Sequence, residues 1–490
     1  MGVSSSAIAR VTGVDVNYRN FNVGRAQFLP QRLAVIGQGN TASTYSTDKV
    51  LGYSAGQIGA LFGYGSPLHL ATLQLFPPNG DGIGGIPVTF YPLEDDVAGI
   101  TAAGAIECTG TATEDINFEI EIGGIRTGTI AILTDDTAAT ALGKIKTAIN
   151  AVLEMPVIAG TVGAGSLPLT AKWAGASGND ISINIVDAVV DGLTFSSVAF
   201  ASGATNPDVQ DALDQIGETW ETMILNCMNY DDTGTLDLYD TYNEGRWDML
   251  VKKPLLVASG CTDDFAVRTA ISDARKSDRT NFLIVSIDSL ELPFCIAARG
   301  LAKDIMPTAN DNPPQNYKGL LTGLDAGADL DQEDYTIRNN AVKLGSSTNI
   351  KIGSVAQLQD IVTFYHPDVE GLYPAYRYVC DVVKLQNILY NVRLIFEADE
   401  WKGCPLLDDG TPTINPTAKQ PKNAITALKN LAKSLADNAI ISDLAFTLAN
   451  ITAAIDSQNP KRLNTTFPVK LSGNIEVFSN DIYFGFYLGT

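Results

Sequence analysis

The chain reads as an α/β protein with a parallel-sheet core, an inserted β-rich domain and extended N- and C-terminal arms. Three observations predict this. Short continuous apolar runs alternate with helical stretches over 206–290, period-two segments fill 92–205, and both ends of the chain alternate apolar and polar residues.

Near the N-terminus Val14, Val16 and Tyr18 alternate with Asp15, Asn17 and Arg19, and no partner strand is evident before Pro30. Residues 92–205 hold 4 basic residues against 14 acidic ones, a balance of −10 that suggests a solvated outer lobe. Ile116–Ile122 and Ile181–Ile185 alternate as half-buried strands, Gly123-Gly124 closes the first as a turn, and one helix is expected near 138–153. From 206 the pattern changes. Asn206-Pro207 reads as a helix start, with Val209, Leu213, Ile216, Trp220 and Met223 at helical spacing. The run Met223–Met228 ends in the turn-like Asp231-Asp232-Thr233-Gly234, and a second helix places Leu238, Tyr242 and Met249-Leu250 on one stripe. A strand at Pro254–Ala258, a helix over 263–276 and a strand at Phe282–Ile287 complete the βαβ pattern of a sheet covered on both faces.

Toward the C-terminus, residues 416–436 carry Lys419, Lys422, Lys429 and Lys433 and no acid. On a helix Lys422, Lys429 and Lys433 form one line, with Ile425, Leu428, Ala432 and Leu435 roughly 100° away toward the core. The line is either a solvated face or a docking face for an acidic partner. Phe467, Val469, Leu471, Ile475 and Val477 then fall on odd positions, and Ile482, Phe484, Phe486 and Leu488 on even ones. An unpaired aromatic strand invites association. These ends therefore either pair within their own subunit or are donated to a neighbour.

Composition narrows the function. The 490 residues suggest about three domains at roughly 100–200 residues each. A net charge of −22 opposes broad binding to nucleic acid or an anionic membrane. No apolar stretch approaches the ~20 residues of a membrane helix, and the N-terminus lacks the pattern of a secretion signal. Cys108, Cys227, Cys261, Cys295, Cys380 and Cys404 are scattered and read as buried, reduced thiols. With only His69 and His366, neither a zinc site nor an ordered Asp-His-Ser set emerges. Gly37-Gln38-Gly39 opens like a dinucleotide loop, but Ala42 stands at the third glycine position. Gly63-Tyr64-Gly65-Ser66-Pro67 lacks the glycine after serine that a nucleophile elbow needs. The paired aspartates 231–232, 263–264 and 408–409 lack calcium-loop spacing and read as caps and turns. The expectation is a protein without catalytic residues, metal or cofactor.

Four segments carry a resemblance. They are Phe62-Gly63-Tyr64-Gly65-Ser66-Pro67-Leu68, the stretch Leu169–Ile181, the stretch Arg338–Gly345 continuing to Ile361–Tyr365, and Asn459-Pro460-Lys461-Arg462-Leu463. In this order the chain resembles the tail-sheath proteins of contractile-tailed bacteriophages, in the shorter Mu-like branch. Asp360 departs from the pattern, where a basic residue is expected.

The resemblance implies a structural protein that stacks in hexameric rings around a tail tube and contracts to drive the tube through the host envelope. It implies an N-terminal arm (1–29), a core (30–91 plus 206–405), an outer inserted domain (92–205), a tube-proximal part (406–477) and a C-terminal arm (478–490). Arm contacts between subunits are expected from Val14, Val16, Tyr18, Phe21, Ile482, Phe484, Phe486 and Leu488, and tube contacts from Lys422, Lys429 and Lys433. The implied partners are further copies of the chain, the tube protein, and baseplate and terminator proteins, without nucleic acid or membrane insertion. The implied location is the virion, after assembly in the host cytoplasm. The competing readings are another self-assembling viral shell component and an α/β enzyme.

Overall fold

The computed structural model describes residues 26–186, 191–248, 251–328, 332–370, 374–475 and 479–482. Phe28–Gln386 form one compact unit, and the chain from Asn387, with Ala26 and Gln27, forms a second.

The larger unit opens with β1 (Leu33–Gln38), β2 (Val50–Gly52), α1 (Ala55–Phe62), α2 (Pro67–Leu75) and β3 (Val88–Leu93). An antiparallel region follows: β4 (Thr101–Gly110), β5 (Ile116–Ile122), β6 (Ile125–Arg126), β7 (Ile130–Ile132), α3 (Ala138–Ala151), β8 (Val157–Ala159), β9 (Ser166–Ala174), β10 (Ile183–Val186) and β11 (Leu193–Ala201). The chain then alternates through α4 (Gln210–Ile216), β12 (Met223–Asn226), α5 (Thr233–Trp247), β13 (Leu256–Cys261), α6 (Phe265–Ala274), β14 (Asn281–Val285) and α7 (Pro293–Gly300). Next come α8 (Met306–Asp311), β15 (Leu320–Asp325), α9 (Tyr335–Lys343), β16 (Thr348–Ile352) and β17 (Val355–Asp360). The unit boundary falls within α10 (Val379–Phe396).

The central sheet has the order β14-β13-β12-β1-β3-β2, parallel except for edge strand β2. Every residue of β1, β3, β12, β13 and β14 is buried, which explains their apolar runs: both faces are covered. Helices α2 and α7 pack on one another and on this sheet. A Cβ at Gly260 in β13 would lie 1.6 Å from the Pro293 carbonyl, so only glycine lets the start of α7 approach that strand. The antiparallel region builds two further sheets, β11-β4-β9-β8 and β10-β5-β6 with β7 on β5. In β4 and β9 inward residues alternate with outward ones, as the period-two pattern predicts. Gly123 and Gly124, both at positive φ, turn β5 into β6.

The structure departs from several expectations. Asn206-Pro207 does not start a helix; α4 begins at Gln210, whose N–H donates to Asp208 Oδ1 at 2.8 Å. Asn206 instead ties two loops together, accepting from the Ala176 N–H and donating to Asp232, both at 2.8 Å. The helix stops at Gly217, and Met223 lies in β12. Asp231-Asp232 is as read from the sequence, with Asp231 in a turn and Asp232 capping α5 by accepting from the Thr235 N–H. The burial stripe of α5 runs through Leu236, Tyr239, Asn243 and Arg246, while Leu238 and Tyr242 are half-buried. Met249 and Leu250 lie outside the described residues. All six cysteines are free thiols, five of them buried.

Candidate subunit-linkage site

The smaller unit is built on α11 (Pro421–Asp437), α12 (Leu444–Asn450) and a hairpin of β18 (Thr452–Ile455) and β19 (Leu463–Thr466). Pro421 at the first helical position and the Gln420 N–H bonded to Asn423 Oδ1 at 2.7 Å start α11. Its buried face is Ala424, Leu428, Leu431, Ala432 and Leu435, so three of the four expected residues face the core and Ile425 is half-buried. The helix packs on β18 and α12.

The hairpin pairs Thr452 with Thr466 and Ile455 with Leu463. Its loop is organised by Asp456, whose carboxylate accepts from Asn464 Nδ2 and from the N–H groups of Gln458 and Asn459. These bonds, Asn464 first, hold the carboxyl below the usual carboxylate range. No residue of β18 or β19 is fully buried, and no third strand joins them among the described residues. A two-stranded sheet of this size is marginal in water by itself and offers two edges for strand addition.

Among the described residues 467–475 the predicted C-terminal strand is not formed as such, and Val477 lies outside the described residues. Leu471 makes a single bridge to Ile441, flanked by Ser442 N–H to the Lys470 carbonyl (2.8 Å) and Ser472 N–H to the Ile440 carbonyl (3.0 Å). Lys470 pairs with Asp443 at 2.7 Å and lies 4.3 Å from the Phe446 ring centre. The chain through Ser472 is therefore bound within its own unit, which limits any donated strand to residues beyond it. Ile482 is 76% exposed. Val14, Val16, Tyr18, Phe21, Phe484, Phe486 and Leu488 lie outside the described residues.

Lys422, Lys429 and Lys433 are all exposed on α11, and none has a carboxylate partner among the described residues. Lys419, just before the helix, differs: its Nζ is 3.6 Å from Glu400 and 4.9 Å from the Trp401 ring centre. Sequence reading missed two features here. The hairpin strands, Thr-Ala-Ala-Ile and Leu-Asn-Thr-Thr, are too short and polar to stand out, although the Asn459-Pro460 turn marks their centre. Trp401 gave no periodic signal at all.

In the larger unit the residues once weighed for catalysis serve the fold. No helix follows β1 closely: after Gly39 the Asn40 N–H bonds the Phe62 carbonyl, and α1 waits until Ala55. A phosphate cradle requires a helix N-terminus at that point. Ser66 caps α2 by accepting from the His69 N–H, and His69 Nδ1 accepts from the Gly65 N–H at 3.1 Å. Burial pushes His69 down to about 4, so it is a neutral acceptor. His366 is fixed between the Phe364 carbonyl and Asp273. Two of the four family-like segments meet here. Lys172 Nζ donates to the carbonyls of Tyr64 (3.3 Å) and Leu153 (3.0 Å), and Gly65 sits at φ 77° with no room for a Cβ beside the Met155 carbonyl. In the third, Thr363 bridges Phe282 of β14 and its hydroxyl donates to the Tyr376 carbonyl. The fourth is the hairpin loop.

No family model matches the sequence. The Mu-like prophage FluMu tail sheath protein of Haemophilus influenzae is 25% identical to it, across 99% of this chain and 100% of that protein. Among solved structures, a sheath tail protein of Listeria innocua aligns over 92% of this chain and 94% of its own, at 11% identity and a TM-score of 0.48. One from Desulfitobacterium hafniense aligns over 91% and 94% at 15% identity and 0.45. The helical sheath of the anti-feeding prophage in its contracted state aligns over 98% and 100% at 11% identity and 0.45. With TM-scores below 0.5, none of these structural likenesses bears on the assignment, which rests on sequence. The four segments and the full-length alignment make this chain similar in sequence to the tail-sheath protein of a Mu-like prophage.

Proposed function

We propose that the chain is the subunit of a contractile tail sheath, a self-associating virion component that is structural rather than catalytic. It polymerises as stacked, hexameric rings around the tail tube. The observation that carries this reading at the residue level is the uncovered hairpin β18–β19. Strands supplied by neighbouring copies, from Val14–Tyr18 at one end and Ile482–Leu488 at the other, would complete that sheet. Backbone hydrogen bonds supply affinity there, and alternate side chains set the register.

Such links persist while rigid bodies slide past one another, so the free energy of contraction comes from better packing between subunits in the shortened state. A baseplate signal releases the extended state, a terminator protein ends the stack, and assembly takes place in the host cytoplasm. The acidic antiparallel region lies outermost, and its like charges repel only within ~8 Å at physiological salt. Lys422, Lys429 and Lys433 face the tube. As exposed ion pairs worth roughly 0–1 kcal/mol each, they suit a contact that must release on firing.

Negative-stain electron microscopy of the purified protein tests the reading. Hollow cylinders with a regular axial repeat are expected; closed shells, flat lattices or persistent monomers at high concentration overturn it.

A further inference from the structure

A groove of about 530 Å³ runs along the smaller unit between the end of α10 and α11. Its apolar wall is Leu394, Ile395, Ala398, Trp401, Ala427 and Leu431. Phe396 meets the Trp401 ring edge-on at 5.1 Å, and Lys419 Nζ lies 4.9 Å from its centre, so the indole is held in one place. The Trp401 Nε1–H is buried yet has no acceptor among the described residues. A buried donor without a partner is costly, and an apolar groove beside it is a surface waiting to be covered.

What would cover it is indicated by how Ala26 and Gln27 are held. Gln27 lines the groove, and its backbone is clamped both ways by Asn391: its N–H donates to Oδ1 at 2.7 Å, and its carbonyl accepts from Nδ2 at 2.8 Å. The Ala26 N–H donates to Ser434 Oγ of α11 at 2.7 Å. The 25 residues before this point are joined in sequence to the groove's rim. They carry Arg10, Arg19 and Arg25 against Asp15 alone, in a chain of −22. Of the nearby carboxylates Glu400 lines the groove, 3.6 Å from Lys419 Nζ. Phe21 is close enough in sequence: six residues span up to ~20 Å, whereas α10 rises only ~8 Å from Asn391 to Phe396.

We propose that this groove binds the chain's own N-terminal segment, with Phe21 seated against Trp401 and a backbone carbonyl of the segment accepting from the indole N–H. The strand-forming stretch Val14–Tyr18 then leaves the subunit from a fixed point. The anchor is a property of the single subunit and does not depend on the sheath reading.

The full-length chain carrying p-benzoyl-phenylalanine at position 21, irradiated as a dilute mixture of isotope-labelled and unlabelled copies, tests this. Cross-links within one chain to peptides covering 391–401 or 419–431 are expected. Cross-links only between chains, or none in those peptides, overturn the proposal. Independently, Phe21→Ala in the full chain should raise hydroxyl-radical oxidation of Trp401 several-fold while the other tryptophans are unchanged. Equal oxidation of Trp401 in both proteins overturns it as well.

Discussion

The central sheet of the larger unit and the hairpin of the smaller one solve the problem of strand edges in opposite ways. Strands β1, β3 and β12–β14 are buried along their whole length, with helices over them and short β2 closing one side. Strands β18 and β19 are at most half-buried and are backed by α11. The first sheet is complete in one molecule. The second has no third strand among the described residues, and under the proposed function its open edges are what a neighbouring copy would pair. Changes in the first region should therefore act on folding, and changes in the second on assembly.

The largest effect on folding is expected at Arg268. Its guanidinium, fully buried, donates to both Glu333 oxygens at 2.6 Å and to Ser346 Oγ at 3.1 Å. Arg268→Ala strands the Glu333 carboxylate in a nearly dry site and should cost about 3–5 kcal/mol in urea unfolding. The double change Arg268→Met with Glu333→Leu should recover most of that loss. If the single change costs under about 1 kcal/mol, the larger unit is not the tightly coupled body described.

A smaller effect belongs to His69. Its folded pKa is about 4, below the usual value near 6.5, because burial disfavours the charged ring. The unfolded chain binds a proton that the folded chain refuses, so stability is fully present above pH 6.5 and falls as pH drops toward 4, by up to about 3 kcal/mol. His69→Gln should flatten that slope relative to the parent protein, measured by thermal unfolding between pH 4 and 7. Parallel profiles for the two proteins would show that His69 takes up its proton without unfolding cost.

The two regions were also unequally legible in the sequence. Apolar runs announced β12, β13 and β14 because burial on both faces favours apolar residues, with Asn226, Ser259 and Asn281 as buried polar exceptions. Strand β5 matched its expected span, since half-burial imposes a period of two. Asn206 misled because its side chain bonds a loop thirty residues upstream, a tertiary demand that no local helix signal reveals. The lysine line on α11 could be read from helical geometry alone. The hairpin and the Trp401 groove could not. The hairpin lacks an apolar face of its own, and the groove joins residues from Gln27 to Leu431.

On α11 the expected change in subunit stability is small. Lys422, Lys429 and Lys433 are exposed, so converting all three to Glu should alter unfolding by no more than about 0.5 kcal/mol per site. Co-assembly with purified tubes should fall sharply at low salt, where charge reversal is least screened. Unchanged co-assembly would assign the line to solvent.

The smallest effect on folding and the largest on assembly should come from the ends. The chain through Ser472 is held by Ile440, Ile441 and Ser442, and at the other end Ala26 and Gln27 are held by Ser434 and Asn391. Removing residues 1–22 or 478–490 leaves all of these bonds in place, so the melting temperature should stay within about 2 °C of the parent for the C-terminal deletion. The N-terminal one, which also takes Phe21 from the Trp401 groove, should lower it by a few degrees without unfolding the chain. The hairpin, deprived of incoming strands, should then leave each copy a folded monomer by analytical ultracentrifugation. Wild-type cylinders from either truncated protein would mean that β18 and β19 need no strand from a neighbour, and the contrast between the two sheets would then reflect local sequence rather than assembly.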